Sequence, residues 1–247
     1  MVCMDTVKMF TSQAESWQAK AEAAMRVDDY EQAIYCYTRA LSANPCALDY
    51  YDQRADCHYL LGQYAYTLAD CDRMVGLAPS TALPYNKRGI AQEARCDLDY
   101  AFADFSTAIS IEPDYATAYN NRGYIYALLR QPEMAMADYE QAIALDRRLV
   151  AAYVNRADLY HSMGQSSKAM SDYDQAVRLD PECAVAYINR SLIRSRLSVS
   201  SPGELRPAPL FAAAGFNVPP LERARILSLR PDKADSYRSL ALMHFPV

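Results

Sequence analysis

The sequence is short of glycine, of basic charge and of long apolar runs, and each shortage closes off a class of protein. Seven Gly in 247 residues, alongside abundant Ala, point to helix. No Gly-rich phosphate loop can be found among those few glycines. Lys and Arg number 25 against 30 Asp and Glu, a formal charge of −5, so the basic stripe of a nucleic-acid binder is missing. No run approaches the ~18 apolar residues of a membrane span. The opening "MVCMDTVKMFTSQ" carries Asp5 and Lys8 and holds no apolar core, so no signal peptide is expected. The seven Cys are odd in number and form no CxxC pair; as small apolar side chains they suit a reducing compartment. A cytoplasmic location is expected, with the nucleus left open. His58, His161 and His244 are the only histidines, and no second acid or metal ligand recurs beside them at a useful spacing. No catalytic residue, metal or cofactor is therefore expected. With 51% apolar and 22% charged residues the chain is not generally disordered. Its excess is tyrosine, at 20.

What is present is a period. "AYNNRGYIYALL" at 118–129 returns as "AYVNRADLYHSM" and again as "AYINRSLIRSRL", each time after 34 residues. Pro45, Pro79, Pro113 and Pro181 lie on the same grid, with Arg147 in the one place that lacks proline. The fourth position of each unit holds Trp17, Tyr51, Tyr85, Tyr119, Tyr153 and Tyr187, and the eighth holds Ala21, Ala55, Gly89, Gly123, Ala157 and Ser191. The twentieth holds Ala33, Thr67, Ala101, Ala135 and Ala169, and the twenty-fourth holds Tyr37, Cys71, Phe105, Tyr139 and Tyr173.

Positions four, eight and eleven share one helical face, as do twenty, twenty-four and twenty-seven. Each unit is then a pair of helices of about 14 residues, roughly 21 Å long, joined by a tight turn. Small residues at eight and twenty let the helices approach, and aromatics at four and twenty-four fill the remaining space. Proline closes the second helix. Pro132 falls where a second helix should start, and Ser12 with Glu15 reads as a capping box ahead of the first helix.

This pattern resembles the tetratricopeptide repeat (TPR) family over 14–47, 48–81, 82–115, 116–149 and 150–183, with a lead at 1–13. The resemblance implies an all-α fold, a right-handed α-solenoid of helix-turn-helix pairs, with first helices on a concave face and second helices on the convex back. A sixth, degenerate repeat spans 184–233. It carries a 16-residue Pro-rich insertion near 199–214, including the apolar "PLFAAAGF", which is expected to pack on the end of the stack or to fold into the groove. Residues 234–247 are expected to form a capping helix.

In the family layout the sixth position faces the groove. Here it holds Ala19, Gln53, Lys87, Asn121, Asn155 and Asn189, the last three forming a ladder. An amide offers both a donor and an acceptor, so a row of Asn can pair with the backbone of an extended peptide whatever its side chains. The same residues also suit a plain wet surface. Asn86, Asn120 and Tyr124 lie beside this row, and the early units add Glu22, Asp52 and Asp56. Those acids suit a partner with a basic segment; they equally suit solubility and helix N-termini. The Lys and Asn cluster with which relatives grip a chaperone C-terminal carboxylate is not matched in any window, since acids stand where cations are required. Position seven holds Lys20, Arg54, Arg88, Arg122, Arg156 and Arg190, opposite Cys36, Asp70, Asp104, Asp138, Asp172 and Glu222, so intra-repeat ion pairs are expected in every unit but the first, which lacks the acid.

The expected function is that of a protein-binding scaffold or adaptor holding an extended peptide segment, with no enzymatic activity, nucleic-acid partner or membrane partner. The alternative is a self-associating structural subunit using the convex face or the ends.

Overall fold

A computed structural model describes the backbone of residues 4–199 and the side chains of 12–194. The sixth second helix, the insertion and the C-terminal helix expected from the sequence lie outside the described residues. Eleven helices are described: α1 Met4–Met25, α2 Tyr30–Ala43, α3 Leu48–Leu60, α4 Tyr64–Leu77, α5 Ala82–Ala94, α6 Leu98–Ile111, α7 Ala116–Leu128, α8 Pro132–Leu145, α9 Val150–Ser162, α10 Ser166–Leu179 and α11 Ala184–Val199. No strand occurs among the described residues. Two compact units divide the chain at Ile125 and Tyr126, within α7.

Helix α1 begins at Met4, so Ser12 lies inside it and the expected capping box does not form. Nothing between Met4 and Ser12 is Pro or Gly, and the helix simply runs on. Pro132 does open α8, in the first turn where its missing N–H costs nothing.

Every described helix pair is joined in one way. Position fifteen takes positive φ: Asp28 at 58°, Gly62 at 70°, Cys96 at 64°, Arg130 at 59° and Gly164 at 74°. The following residue reaches back to close the helix end: the Gln63 N–H donates to the His58 carbonyl at 2.8 Å, and that of Asp97 to Gln92 at 2.9 Å. These are left-handed helix terminations of the Schellman type.

In unit 1 the small residues Ala21, Ala33, Ala55 and Ala101 are fully buried, and beside them Tyr37, Cys71 and Phe105 are at most 1% exposed. Gly89 shows why position eight is small. A Cβ there would lie 2.7 Å from Cε1 of Phe105. In unit 2, Ala157, Ala169 and Ala176 surround a fully buried Tyr173 in the same way.

The tyrosine at position four sits at the rim and clasps the end of the preceding repeat. The Tyr51 hydroxyl donates to the Pro45 carbonyl at 3.2 Å, and Tyr85 to Pro79 at 3.1 Å. In unit 2, Tyr153 donates to the Arg147 carbonyl at 3.3 Å, so the clasp survives where the marker proline is lost. Three residues on, the guanidinium lies over the same ring: Arg54 over Tyr51 at 5.6 Å, Arg88 over Tyr85 at 5.5 Å and Arg156 over Tyr153 at 5.8 Å.

The expected Arg–Asp braces form within each unit. Arg54 grips Asp70 with Nε at 2.9 Å and Nη2 at 2.6 Å. Arg88 grips Asp104 at 2.8 and 2.7 Å, and in unit 2 Arg156 grips Asp172 at 2.8 and 2.9 Å. Such forked pairs are the strong, directional kind. Arg122 and Asp138 belong to different units, and Glu222 is outside the described residues. The Arg fork also reaches the preceding repeat, which the repeat pattern does not foretell. Nη1 of Arg54 donates to Thr38 Oγ1 at 2.9 Å, and Nη1 of Arg88 to Asp72 Oδ1 at 2.6 Å. Each of these two arginines therefore locks its own helix pair and the pair before it.

Candidate functional site

Within unit 1 the first helices α3 and α5 frame a groove with a cavity of about 280 Å³. Its lining is Ala55, Asp56, Tyr59, Thr67, Leu83, Asn86, Lys87, Ile90 and Tyr115. Helical phase produces this set. Positions eight, nine and twelve of α3 meet positions two, five, six and nine of α5, and Thr67 of α4 supplies the floor. Leu83, on the rim, is 37% exposed.

Lys87 spans the groove from α5 to α3. Its Nζ lies 2.6 Å from Asp52 Oδ1 and 2.7 Å from Asp56 Oδ1. Burial alone would lower its pKa, but the bonds to Asp52 and Asp56 outweigh that and hold it above the ordinary lysine range. The ammonium stays charged. Gln53 adds a bond to Asp52 at 3.3 Å. Tyr115, against the cavity, has its phenol pKa raised by burial, with the Glu112 charge adding.

The carboxylates of α1 and α3 act on shared neighbours. The Tyr37 phenol is pushed up to about 12, chiefly by burial, with Cys57, Glu22, Asp56 and Asp52 adding. Tyr50 is raised by burial and then by Glu15, Asp49 and Glu22. Glu15, Glu22 and Asp49 are exposed. Glu22 accepts one bond, from Gln18 at 2.9 Å.

The expected asparagines are placed unevenly. Asn86 and Asn120 are buried, at 3% and 5% exposure. Half-buried Asn121 donates Nδ2 to Asn86 Oδ1 at 3.0 Å, and its Oδ1 accepts from Asn120 at 3.2 Å. Tyr124 is half-buried on α7. In unit 2, Asn155 is half-buried on α9, while Asn189 on α11 is 2% exposed and donates to Asp158 Oδ1 at 2.9 Å. Position six thus reaches toward the preceding repeat in three cases: Lys87 to Asp52 and Asp56, Asn121 to Asn86, and Asn189 to Asp158.

Tyr59, Thr67 and Tyr115 were missed as groove residues by sequence reasoning. Two of them carried a signal. Thr67 is polar where the other four units hold Ala, and Tyr115 is aromatic at a place filled elsewhere by Ala47, Thr81, Leu149 and Cys183. His58 is engaged structurally: its Nδ1 is 2.7 Å from Gln63 Oε1, and its ring stacks on Tyr66 at 5.1 Å. Among the described residues no cluster of three or more metal-ligating side chains occurs, and no helix is long and apolar enough to cross a membrane.

A tetratricopeptide repeat model matches residues 116–149 and 150–183, and a second matches 14–45. The "Protein SGT1 homolog" of Oryza sativa subsp. japonica is 37% identical over 83 residues, 34% of this chain and 23% of that protein. The "Small glutamine-rich tetratricopeptide repeat-containing protein 2" of Saccharomyces cerevisiae is 32% identical over 84 residues, 34% of this chain and 24% of its own length. The match therefore spans only about a quarter of either relative. Among solved structures, the APC/C hetero-tetramer Cut9-Hcn1 superposes with a TM-score of 0.73 at 15% identity, covering 96% of this chain and 44% of that one. Pseudomonas aeruginosa pilF gives 0.64 at 15% identity over 96% and 97% of the two chains. A thermophilic TPR protein of Thermus thermophilus gives 0.63 at 23% identity over 75% and 99%. At these identities the structures share a fold. The 34-residue period, the paired helices and the matched repeats together show that the chain carries tetratricopeptide repeats.

Proposed function

We propose that this chain is a protein-interaction adaptor whose unit 1 groove holds an extended segment of a partner protein. The observation that carries the reading is the cavity between α3 and α5. It is open, walled by Tyr59, Leu83, Ile90 and Tyr115, and edged by Asp56, Asn86 and Lys87, each hydrogen-bonded within unit 1. An extended strand can lay its backbone along such a groove and drop one side chain into it. Asn121 suits the backbone half of that contact. Its amide has two N–H groups and two acceptor lone pairs, and its bonds to Asn86 and Asn120 take one of each. In unit 2, Asn155 is the residue best placed for the same role; Asn189, buried on Asp158, serves first as a brace between neighbouring helices.

The partner class is protein rather than nucleic acid, because the groove side of α1 and α3 is acidic. The test is selection of random 12-residue displayed peptides on the intact chain, with Leu83→Arg as the blocked control and circular dichroism as the check on folding. Peptides retained by the parent and lost on Leu83→Arg support the reading. No enrichment, or equal retention on both, refutes it.

One observation favours a second reading, self-association through the back of the repeats. Tyr35, Tyr66 and Tyr100, on the second helices of unit 1, are 52%, 62% and 70% exposed. Sedimentation of the parent and a Tyr66→Ser, Tyr100→Ser variant decides it: a concentration-dependent dimer lost in the variant would support a structural role.

A further inference from the structure

Resting on the groove reading above, we infer that the unit 1 cavity is an anchor subsite for one large apolar side chain, and that the bound segment carries a basic residue about three positions from that anchor. The cavity sets the first half. At about 280 Å³ it has room for one large side chain. Five of its nine lining residues, Ala55, Tyr59, Leu83, Ile90 and Tyr115, present apolar surface. Its charged members, Asp56 and Lys87, are already bonded to each other at 2.7 Å and leave no unbalanced cation for a carboxylate.

Charge sets the second half. On the α1 and α3 side stand Glu15, Glu22, Asp49, Asp52 and Asp56. Lys87 answers two of them, while Lys20 is turned onto the Trp17 ring, its Nζ 4.2 Å from the centroid. The remaining acids, Glu15, Glu22 and Asp49, are exposed, and all three act on the Tyr50 phenol, so they share one neighbourhood. Packed helix axes lie about 8–10 Å apart, and an extended chain advances about 3.3–3.6 Å per residue. A segment crossing from the cavity to the face of the neighbouring first helix therefore spends about three residues on the way. A cation placed there meets the acidic field, and an acidic residue there is repelled.

The experiment reads the sequences enriched by the peptide selection, then titrates one fluorescent synthetic copy against the full chain. A shared large apolar residue with Lys or Arg two to four positions away is expected. Replacing the apolar residue by Ala should weaken binding about tenfold or more. Replacing the cation by Glu should weaken it about five- to tenfold at low salt, with the gap closing at high salt. A Glu22→Gln, Asp49→Asn chain, altered only at exposed positions, should lose the preference for the cation while keeping the preference for the anchor. Peptides that lose binding on Leu83→Arg but show no apolar–basic pair leave the groove reading standing and overturn the anchor inference. Absence of any enriched peptide overturns both. A dimer abolished by Leu83→Arg identifies a second copy as occupant and also overturns the inference.

Discussion

Position fifteen offers a sharp test of how these repeats are built, because the same left-handed backbone is filled by Gly in two repeats and by Asp, Cys or Arg in three. A residue with a Cβ in that conformation carries a penalty of about 1–2 kcal/mol. Glycine avoids it, but adds freedom to the unfolded chain worth about 0.4–1 kcal/mol. The balance for Cys96→Gly, at φ 64°, is a gain of about 0–1.6 kcal/mol, centred near ~0.8 kcal/mol. Cys96 is exposed, so no packing is lost. The reverse change at Gly62 or Gly164 should cost a similar amount, and there the cost is purely conformational, since an added Cβ meets nothing within 4 Å. Asp28 is a harder case. Its carboxylate accepts the Tyr30 hydroxyl at 2.7 Å, so Asp28→Gly surrenders a bond and should gain less. Repeat proteins unfold through nearest-neighbour steps, so the assay pairs a urea melt with hydrogen exchange of the amides in the two flanking helices. Cys96→Gly should slow exchange in α5 and α6, and Gly62→Ala should speed it in α3 and α4. A neutral or stabilising Gly62→Ala, or a destabilising Cys96→Gly, would refute the argument.

Gly89→Ala should lose about 0.5–2 kcal/mol, because the clash with Phe105 outweighs the better helix propensity of Ala. A thermal melt measures the loss, and Phe105→Leu in the same chain should recover much of it. Asp104→Ala, which leaves a mostly buried guanidinium without its forked partner, should cost about 1–3 kcal/mol in a urea melt. Asp72→Ala, whose carboxylate is 64% exposed, should cost under about 1 kcal/mol. Alkaline pH should weaken the fold of unit 1. Burial pushes the Cys57 thiol up to about 11, the Cys71 thiol up to about 12 and the Tyr37 phenol up to about 12. Each folded pKa lies above its unfolded value, so the native state holds protons that the unfolded chain releases. Stability from these groups is fully present below about pH 8.5 and falls as pH rises toward 12. Urea midpoints at pH 8 and pH 10.5 check this, and a Cys57→Ala, Cys71→Ala chain should show a shallower fall.

The tandem helix pairs were legible because they rest on sequence-local physics. Faces repeat every 3.6 residues, proline stops a helix, and positions seven and twenty-three lie equally far from the turn, so Arg54, Arg88 and Arg156 could be matched to Asp70, Asp104 and Asp172 from spacing alone. Contacts between consecutive repeats were not legible. The second reach of Arg54 and Arg88, to Thr38 or Asp72, depends on the angle at which one pair stacks on the next, and no spacing inside a single repeat encodes that angle. The start of α1 at Met4 was hidden for a different reason: a capping pattern marks where a helix can begin, and an uninterrupted run before it lets the helix begin sooner.

The asparagines carry this distinction to the groove. Their recurrence at position six suggests a row aimed at a ligand, yet Asn121 and Asn189 turn first toward the preceding repeat, Asn121 onto Asn86 and Asn189 onto Asp158. Lys87, at the same position, does likewise with Asp52 and Asp56. A side chain that braces its neighbour is also held still, and a fixed amide loses less freedom when a peptide arrives than a loose one. Bracing and binding are therefore compatible at Asn121, which keeps donor and acceptor capacity and partial exposure, and conflict at Asn189, which is 2% exposed. The two roles separate by substitution. Asn121→Asp keeps an acceptor but loses the N–H that Asn86 accepts, so it should destabilise unit 1 as well as weaken peptide binding. Asn121→Gln, with both groups kept on a longer stem, should hold the peptide less well at a smaller loss of stability. If both variants bind peptide as the parent does while stability falls, position six is a brace alone, and recognition rests on the apolar cavity and its acidic edge.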